Sequence, residues 1–345
     1  MSKENCFKDE FEKCPEPFRR WLFQANHRSE KGGISCTQLI SPLRAFVLQM
    51  QNNGGTKSVN SRLLAAIGTA THKAIESTLS TDDRNELGIE QEVYMWLRVD
   101  EFTLSGTADL VCDGEIWDYK TTSVRKFKET PKEWVEQLNI YAYMYRRTMG
   151  KDVKKLQILI IARDFVQSKA TYQAEYPKTA FKVVDIPLWD DDKTDAFIRE
   201  RIAKAKAVLS GEKPLPLCTN EEMWVDDRPY AVMRTGQKNA IKLYASKEEA
   251  NKHAEDLALK PFCVIAKGGK KILKRFETKA ELNNEEAKSK DDGRTFKKIK
   301  FTVQERQANP IKCAYCDASE FCEQFKQFRE TFKTPEKHNK VAINY

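Results

Sequence analysis

The chain has 345 residues, a hydrophobic content of 40%, nine cysteines and a net charge of +8. Its length and hydrophobic content predict a globular protein with one large and one smaller domain, and no run approaches the roughly 18 apolar residues of a membrane span. The polar N-terminus lacks the apolar stretch of a signal peptide, so we expect a cytoplasmic protein without a membrane partner. Cysteines in that compartment are thiols or metal ligands, and the positive charge suits a polyanionic partner.

The first pattern that predicts a helix covers residues 34–50. It reads as a short helical turn followed by an amphipathic helix, with Pro42 near the first turn, where its missing N–H costs nothing. Arg44 on this helix is expected to be a solvated surface residue, and a contact to phosphate is the alternative.

A longer helix is predicted from Ser61, a candidate N-cap, to Leu79, because apolar residues recur at helical spacing between them. His72 lies beside this apolar stripe. Taken alone, such a histidine is more often a packed or exposed residue than a ligand.

The stretch 102–122 reads as a β-hairpin that turns at Asp113-Gly114, a dipeptide that favours a type I′ turn because both residues tolerate a positive φ. Counting back along both strands places Asp109 directly opposite Asp118, with Lys120 on the same face. Opposed residues have Cβ atoms about 4.5 to 5.5 Å apart, so the two carboxylates repel and predict a hard cation between them. The alternative is a solvent-facing hairpin that Lys120 and water neutralise.

The next predicted helix, 132–150, ends at Gly150, a residue typical of helix C-termini. Gln137, Tyr141 and Tyr145 are four residues apart and therefore share one face of it. An aromatic stripe of this kind is usually part of a core.

Further strands and a helix complete the first half of the chain. The continuous apolar run 156–162 predicts a strand covered on both faces, and a second strand over 182–188 leads to a helix over 191–209. The acidic run 190–192 is expected to cap this helix rather than to bind a metal. Strands flanked by helices predict an α/β sandwich with a mixed sheet.

Residues 223–308 contain an internal repeat. A shift of 32 residues aligns the stretch that starts at Tyr230 with the stretch that starts at Phe262, and each copy predicts strand, glycine turn, strand and a helix with a capping box. Residues 262–300 contain 12 Lys and Arg against 6 Asp and Glu, a local balance of +6. This balance suits a surface that guides DNA, and a solvated basic face is the alternative.

Three cysteines follow the repeats with the spacing C-x2-C-x5-C: Cys313, Cys316 and Cys322. In a cytoplasmic protein this spacing indicates a metal centre, which needs a fourth thiolate. Cys218, directly before the repeats, is the candidate.

Two motifs in the hairpin resemble the metal site of the PD-(D/E)XK nuclease superfamily, in particular its RecB-like branch. Gly106-Thr-Ala-Asp109 matches Gly-x-x-Asp, and Asp118-Tyr-Lys-Thr121 matches Asp-Tyr-Lys-Thr. The sequence from Gly68 to Glu76 resembles the helix that carries the metal histidine of this branch, here His72. The resemblance implies a mixed-sheet, restriction-endonuclease-like α/β core flanked by helices, with the repeats as a small inserted α+β module.

The same resemblance implies roles for the site residues. The ligands of Mg²⁺ or Mn²⁺ would be Asp109, Asp118, the carbonyl of Tyr119, His72 and an acidic residue of the strand over 88–99, where Glu92 is favoured over Glu90. Lys120 would position the attacking water. Gln137 and Tyr141 match a Q-x-x-x-Y signature that supports the site and approaches DNA.

For the cysteines, the resemblance implies a [4Fe-4S] cluster, with Zn²⁺ as the alternative. In related nucleases the first cluster cysteine often lies near the N-terminus, where this chain has Ser41-Pro42 instead of Cys-Pro. The fourth ligand therefore stays open between Cys218 and Cys36.

The predicted function is that of a metal-dependent DNA nuclease, and an exonuclease in particular, of the kind that tailed phages and prophages encode beside a single-strand annealing recombination protein. The alternatives are a structure-specific endonuclease and a catalytically inactive DNA-binding or scaffold protein on the same fold. The expected parts are a nuclease core over 1–222, the inserted module over 223–308 and a cysteine clasp over 309–345. The sequence does not predict an oligomeric state.

Overall fold

The structure is a computed structural model that describes residues 13–23, 33–52, 59–226, 228–237, 239–266, 272–288, 294–307 and 309–333. The helices are α1 (Glu16–Phe23), α2 (Cys36–Leu39), α3 (Leu43–Gln51), α4 (Val59–Glu76), α5 (Thr81–Leu87), α6 (Lys132–Met149), α7 (Gln167–Tyr172), α8 (Asp191–Leu209), α9 (Lys247–Ala258), α10 (Lys279–Lys288) and α11 (Glu323–Lys333). The strands are β1 (Ile34–Ser35), β2 (Ile89–Val99), β3 (Phe102–Cys112), β4 (Glu115–Thr122), β5 (Lys155–Ala162), β6 (Phe181–Ile186), β7 (Tyr230–Arg234), β8 (Ala240–Tyr244), β9 (Phe262–Ile265), β10 (Ile272–Phe276), β11 (Thr295–Lys298) and β12 (Phe301–Glu305).

The chain forms two compact units. The first ends at Cys218 and also includes Tyr315–Gln327, and the second contains Thr219–Ala314.

The first unit is built on a six-stranded mixed sheet with the order β1-β3-β4-β5-β6, in which β2 also pairs with β3. β3 pairs antiparallel with β2 and β4, and β5 pairs antiparallel with β6, whereas β1 runs parallel to β3 and β4 runs parallel to β5. Helices α6 and α8 pack together, and α6 also packs on β2, β3, β4 and β5. The predicted α/β fold with a mixed sheet flanked by helices is therefore confirmed.

One edge of β3 is shared by two strands. β1 pairs with Leu104 and Ser105, and β4 pairs with Leu110, Val111 and Cys112. Residues 106–109 lie between these two ladders without a strand partner on that edge in the described part of the chain. The opening matters because it lies at the Gly-x-x-Asp motif.

Several predicted element ends differ in the structure. The long helix begins at Val59, so Ser61 lies inside the helix and is not its cap. The helix ends at Glu76 instead of continuing to Leu79, because the hydroxyls of Ser77 and Thr78 donate to helix carbonyls and close the last turn. The strand predicted over 182–188 stops at Ile186, and the prediction that Asp190 caps the following helix is confirmed.

The second unit contains two three-stranded sheets, β10-β9-β11 and β12-β7-β8. The predicted strand, strand and helix of each repeat are present, and each sheet gains a third strand that the repeat alignment missed. The strand β11 follows its own repeat directly, whereas β12 pairs with β7 of the first repeat only after the whole second repeat has been completed. The second repeat is therefore inserted within the first.

Candidate active site

The hairpin turn folds as predicted. Asp113 and Gly114 have φ values of 51° and 81°, so both central residues are left-handed. The predicted pairing of Cys112 with Glu115 is present, and it continues to Leu110 and Trp117.

Beyond Leu110 the two strands separate, so the predicted direct pairing of Asp109 with Asp118 is wrong. The Asp109 carboxylate instead accepts a hydrogen bond from the backbone N–H of Tyr119, with Oδ2 and the nitrogen 2.6 Å apart. A side chain thus satisfies a backbone donor that a continued ladder would have used. The two carboxylates still interact, because the charge of Asp109 is among the causes that raise the pKa of Asp118.

Asp109 has a different acidic neighbour, Glu92 on β2. The pairs Gln91–Leu110 and Val93–Ala108 bracket this position, so the register places Glu92 opposite Asp109. Glu92 itself leaves the ladder and has a φ of 50°. A non-glycine residue in this region costs about 1 to 3 kcal/mol and is retained where its surroundings require it, often at functional sites.

A histidine completes this group. One ligand atom each from His72, Glu92 and Asp109 lies within 4.8 Å of the others. His72 reaches the strands because α4 packs against β4, and its Nδ1 is 3.4 Å from Asp109 Oδ1. Burial lowers the pKa of His72, but the hydrogen bond to Asp109 and the charges of Asp109 and Asp118 together raise it above its ordinary value.

The two glutamates of β2 have different surroundings. Glu90 accepts hydrogen bonds from the Tyr145 hydroxyl at 2.8 Å and from Lys151 Nζ at 2.6 Å. Glu92, and not Glu90, belongs to the group with His72 and Asp109. Tyr145, the third residue of the predicted helical stripe, therefore contacts the Glu90–Lys151 ion pair instead of the group of His72, Glu92 and Asp109.

Asp118 is buried, with only 3% of its surface exposed. Burial, together with the charge of Asp109, raises its pKa to about 6 although Lys120 acts in the opposite direction. Its Oδ2 forms an ion pair with Lys120 Nζ at 2.7 Å. Asp118 does not belong to the group that His72, Glu92 and Asp109 form, so the structure brings together three of the predicted ligands.

Lys120 is held from a second side by α6. Its Nζ donates to Gln137 Oε1 at 2.8 Å, and Gln137 Nε2 donates to the Tyr141 hydroxyl at 2.7 Å. Gln137 and Tyr141 are both buried. Burial raises the pKa of Tyr141, which stays a neutral phenol. The chain of contacts from Asp118 through Lys120 and Gln137 to Tyr141 fixes the position of the ammonium group.

Gly106 allows this close packing. A Cβ at this position would lie 2.6 Å from Cε1 of the Tyr141 ring and 2.8 Å from Cys36 Sγ. Any side chain here would push the tyrosine or the strand away. The motif match identifies this glycine, but only the tertiary structure gives its reason.

Three of the four predicted cysteine ligands, Cys218, Cys316 and Cys322, lie in the first unit. The backbone of Cys218 exchanges two hydrogen bonds with the Gln324 side chain, at 2.8 and 2.9 Å. Cys316 and Cys322 belong to one apolar cluster with Ala45 and Leu48 of α3. Cys313 falls in the second unit.

The rival ligand Cys36 lies elsewhere. Its thiol is fully buried, donates to Met144 Sδ at 3.7 Å, and belongs to the main core cluster instead of the cluster of Cys322. Burial raises the pKa of this thiol far above its ordinary value.

Arg44 departs most from the expectation. The predicted surface arginine is buried, with 8% of its surface exposed. Its Nε donates to Cys322 Sγ at 3.2 Å.

The geometry is that of a group of one histidine and two carboxylates that could hold a metal ion, on a mixed α/β sheet and with a fixed lysine nearby. A family profile for the PD-(D/E)XK nuclease superfamily matches residues 20–323, and the chain therefore belongs to this superfamily. No curated protein is similar enough to count as a match.

Three solved structures have partial similarity to the chain. SSO0001 is 18% identical, with a TM-score of 0.37, over 63% of this chain and 98% of its own. A protein from Eubacterium rectale described as a candidate exonuclease is 12% identical, with a TM-score of 0.36, over 53% and 83%. LHK-Exo, solved with dAMP, is 11% identical, with a TM-score of 0.31, over 54% and 95%.

Among the helices in the described ranges, none is both long enough and apolar enough to cross a membrane.

Proposed function

We propose that the chain is a metal-dependent DNA nuclease that hydrolyses phosphodiester bonds, and that it acts as an exonuclease. The observation that carries the proposal is the convergence of His72, Glu92 and Asp109 within 4.8 Å. Two carboxylates at this distance repel each other, and Glu92 adopts an unfavourable backbone conformation to be there. A hard divalent cation relieves the repulsion and prefers oxygen ligands.

These residues fit Mg²⁺ or Mn²⁺, and we propose Asp118 and the carbonyl of Tyr119 as further ligands. A bound divalent cation supplies an activated water and stabilises the charge that develops on the phosphate. Asp118 supports this assignment because its carboxylate is buried and its pKa is raised to about 6, which a cation would reverse.

The remaining residues orient the reaction. Lys120 Nζ lies between Asp118 and Gln137, so its ammonium group can hold the attacking water and balance negative charge on the phosphate. Gln137 and Tyr141 keep Lys120 in place and form the side of the site that DNA would approach. The position of the Lys120 ammonium group is therefore fixed by Asp118, Gln137 and Tyr141 before substrate binds.

The test is a time course on end-labelled linear, covalently closed circular and single-stranded DNA, with and without Mg²⁺ or Mn²⁺. We expect digestion of linear DNA and no nicking of closed circles, only when metal is present. Equal nicking of circles would replace the exonuclease with a structure-specific endonuclease. Absence of cleavage with both metals would reject the nuclease and favour a catalytically inactive DNA-binding or scaffold protein.

We further propose that Cys218, Cys313, Cys316 and Cys322 hold one metal centre, a [4Fe-4S] cluster with Zn²⁺ as the alternative. Support comes from the first unit, where Gln324 fixes the backbone of Cys218 and a guanidinium group faces the sulfur of Cys322. Protein purified without oxygen should contain iron and acid-labile sulfide. Colourless protein with stoichiometric zinc would replace the cluster with a zinc clasp, and protein without either metal would reject the centre.

We also propose that residues 223–308 form an insert between the core (1–222) and the clasp (309–345), because the strands described in this range pair only with one another, in two separate sheets. Replacement of the insert by a short linker should leave a core that still unfolds cooperatively. A core that no longer folds would contradict these boundaries.

The basic face of this insert is proposed to guide DNA. Lys270 and Lys271 lie outside the described residues, Lys274 pairs with Glu285 at 3.0 Å, and Arg275 lies over the Phe301 ring. Lys297 and Lys298 of β11 are both exposed and are further candidates for phosphate contact, although Lys298 also lies over the Phe262 ring. Replacing Lys297 and Lys298 by Gln should weaken DNA binding and reduce its salt dependence. An unchanged salt slope would reject the guiding role.

The biological setting that we propose is phage or prophage recombination in the host cytoplasm, beside a single-strand annealing protein. The DNA ends that an exonuclease resects are the substrate that such a partner needs. Sedimentation of the chain alone and with an annealing protein encoded beside it would test the partnership. Sedimentation as two independent species would reject it.

A further inference from the structure

The buried Arg44 of α3 lies beside the cysteine cluster, and the nuclease site does not use it. Only 8% of its surface is exposed, and Cys322 is buried to a similar degree at 9%. The neighbouring residues Ala45 and Leu48 pack against Ala318 and Cys322. The guanidinium group therefore lies in largely apolar surroundings.

Within the described part of the chain, Arg44 has two polar contacts. Its Nε donates to Cys322 Sγ at 3.2 Å, and its Nη1 donates to the carbonyl oxygen of Pro216 at 3.2 Å. Among the described residues, no carboxylate lies within ion-pair distance of it. A guanidinium group is always charged in proteins, and a buried charge without a counter-charge is strongly unfavourable.

The sulfur of Cys322 can supply the missing negative charge. A neutral thiol is a weak acceptor, whereas a thiolate is an anion that accepts charge-assisted N–H bonds. A centre with four thiolates around zinc or an iron-sulfur cubane keeps a net negative charge. Hydrogen bonds to the ligating sulfurs help to stabilise such centres.

We propose that Arg44 is the positioning residue of the cysteine centre: it orients the Cys322 sulfur for metal binding and compensates the negative charge of the thiolate set. The inference rests on the proposed metal centre. The contact to Pro216 fixes the guanidinium from the segment that leads to Cys218, so one side chain joins two parts of the chain that each supply a cysteine.

The experiment compares the wild type with Arg44→Lys, Arg44→Gln and Arg44→Leu, all purified without oxygen. Exposed Arg98 on β2 supplies the control, Arg98→Gln. The readouts are iron, labile sulfide and zinc per chain, and the rate of metal release to a chelator. Loss of an outer partner of a metal ligand typically weakens metal binding by about 10- to 100-fold.

We expect metal release to accelerate at least about tenfold in Arg44→Leu and Arg44→Gln, and less in Arg44→Lys, which keeps the charge but not the planar donor. Arg98→Gln should match the wild type. To separate loss of the Cys322 contact from a general loss of stability in Arg44→Leu, each substitution is repeated in a Cys322→Ser background. There the Arg44 substitutions should add no further loss of metal, since the proposed contact is already gone.

Two results would overturn the inference, and they differ. Metal-loaded wild type with unchanged release in Arg44→Lys and Arg44→Gln would reject the role of Arg44 and keep the centre. Wild type that contains neither iron nor zinc would reject the centre and, with it, this role of Arg44.

Discussion

Glu92→Gln should make the metal-free protein more stable and its metal complex weaker. In the metal-free protein, the Glu92 and Asp109 ligand atoms lie within 4.8 Å of each other. Two unit charges at that distance repel by about 1 kcal/mol in water and by about 3 kcal/mol at an effective dielectric constant near 20. Since both side chains are partly exposed and His72 offsets part of the repulsion, we expect a gain near the lower value, about 1 kcal/mol.

A second variant separates charge from backbone conformation. Glu92→Gly removes the carboxylate and also relieves the positive φ of 50°, which glycine adopts without a steric cost. Its metal-free form should therefore be at least as stable as that of Glu92→Gln. Relative to the wild type, relief of the positive φ should raise the free energy of unfolding by up to about 1 to 3 kcal/mol.

The assay is thermal or urea unfolding with a chelator and with Mg²⁺. At about 100 times its Kd, Mg²⁺ should stabilise the wild type by about 2.7 kcal/mol. If loss of the carboxylate weakens binding about tenfold, the same Mg²⁺ concentration should stabilise Glu92→Gln by only about 1.4 kcal/mol.

Glu90→Gln is the matched control on the same strand. It removes a carboxylate that contacts Tyr145 and Lys151, so it should leave the stabilisation by Mg²⁺ unchanged. A Glu92→Gln protein that is less stable without metal and keeps the full effect of Mg²⁺ would refute the assignment of Glu92.

Three further predictions concern the site and the cysteines. Lys120→Ala should reduce cleavage by at least about 100-fold while DNA binding persists, because it removes the oriented ammonium group; cleavage at the wild-type rate would contradict this role. With a chelator present, the unfolding free energy of the wild type minus that of Asp118→Asn should fall as pH rises from about 4 to about 6. The reason is that the raised pKa of Asp118 makes the folded state bind more protons than the unfolded state in this range. A pH-independent difference in unfolding free energy would show that Asp118 titrates normally. Cys218→Ser should release the metal while Cys36→Ser retains it, as metal analysis can measure; the reverse result would move the fourth ligand to Cys36.

Local features were predictable from the sequence because neighbouring residues determine them. The Asp113-Gly114 turn forms because both residues tolerate a positive φ, and the Asp190 side chain caps α8 through the N–H of Lys193 at 2.7 Å. The repeat alignment predicted two strands and a helix per copy for the same reason. These elements need no information from distant parts of the chain.

Motif resemblance also predicted the three residues that gather, among other ligands that do not join this group, but not how they do so. His72, Glu92 and Asp109 come from a helix and two strands, and their spacing in sequence does not give their distances in space. The opposition of Asp109 to Asp118 failed because it assumed a ladder that continues past Leu110. Where β3 is shared between β1 and β4, side chains and not backbone pairing determine the contacts.

Tertiary packing alone decided the remaining features. The left-handed conformation of Glu92, the need for glycine at position 106 and the burial of Arg44 against Cys322 all depend on residues far away in sequence. The same holds for β12, which pairs with β7 of the first repeat although the whole second repeat lies between them in the sequence. A residue's own propensity says little in such cases, because burial and charge pairing outweigh local preference by several kcal/mol.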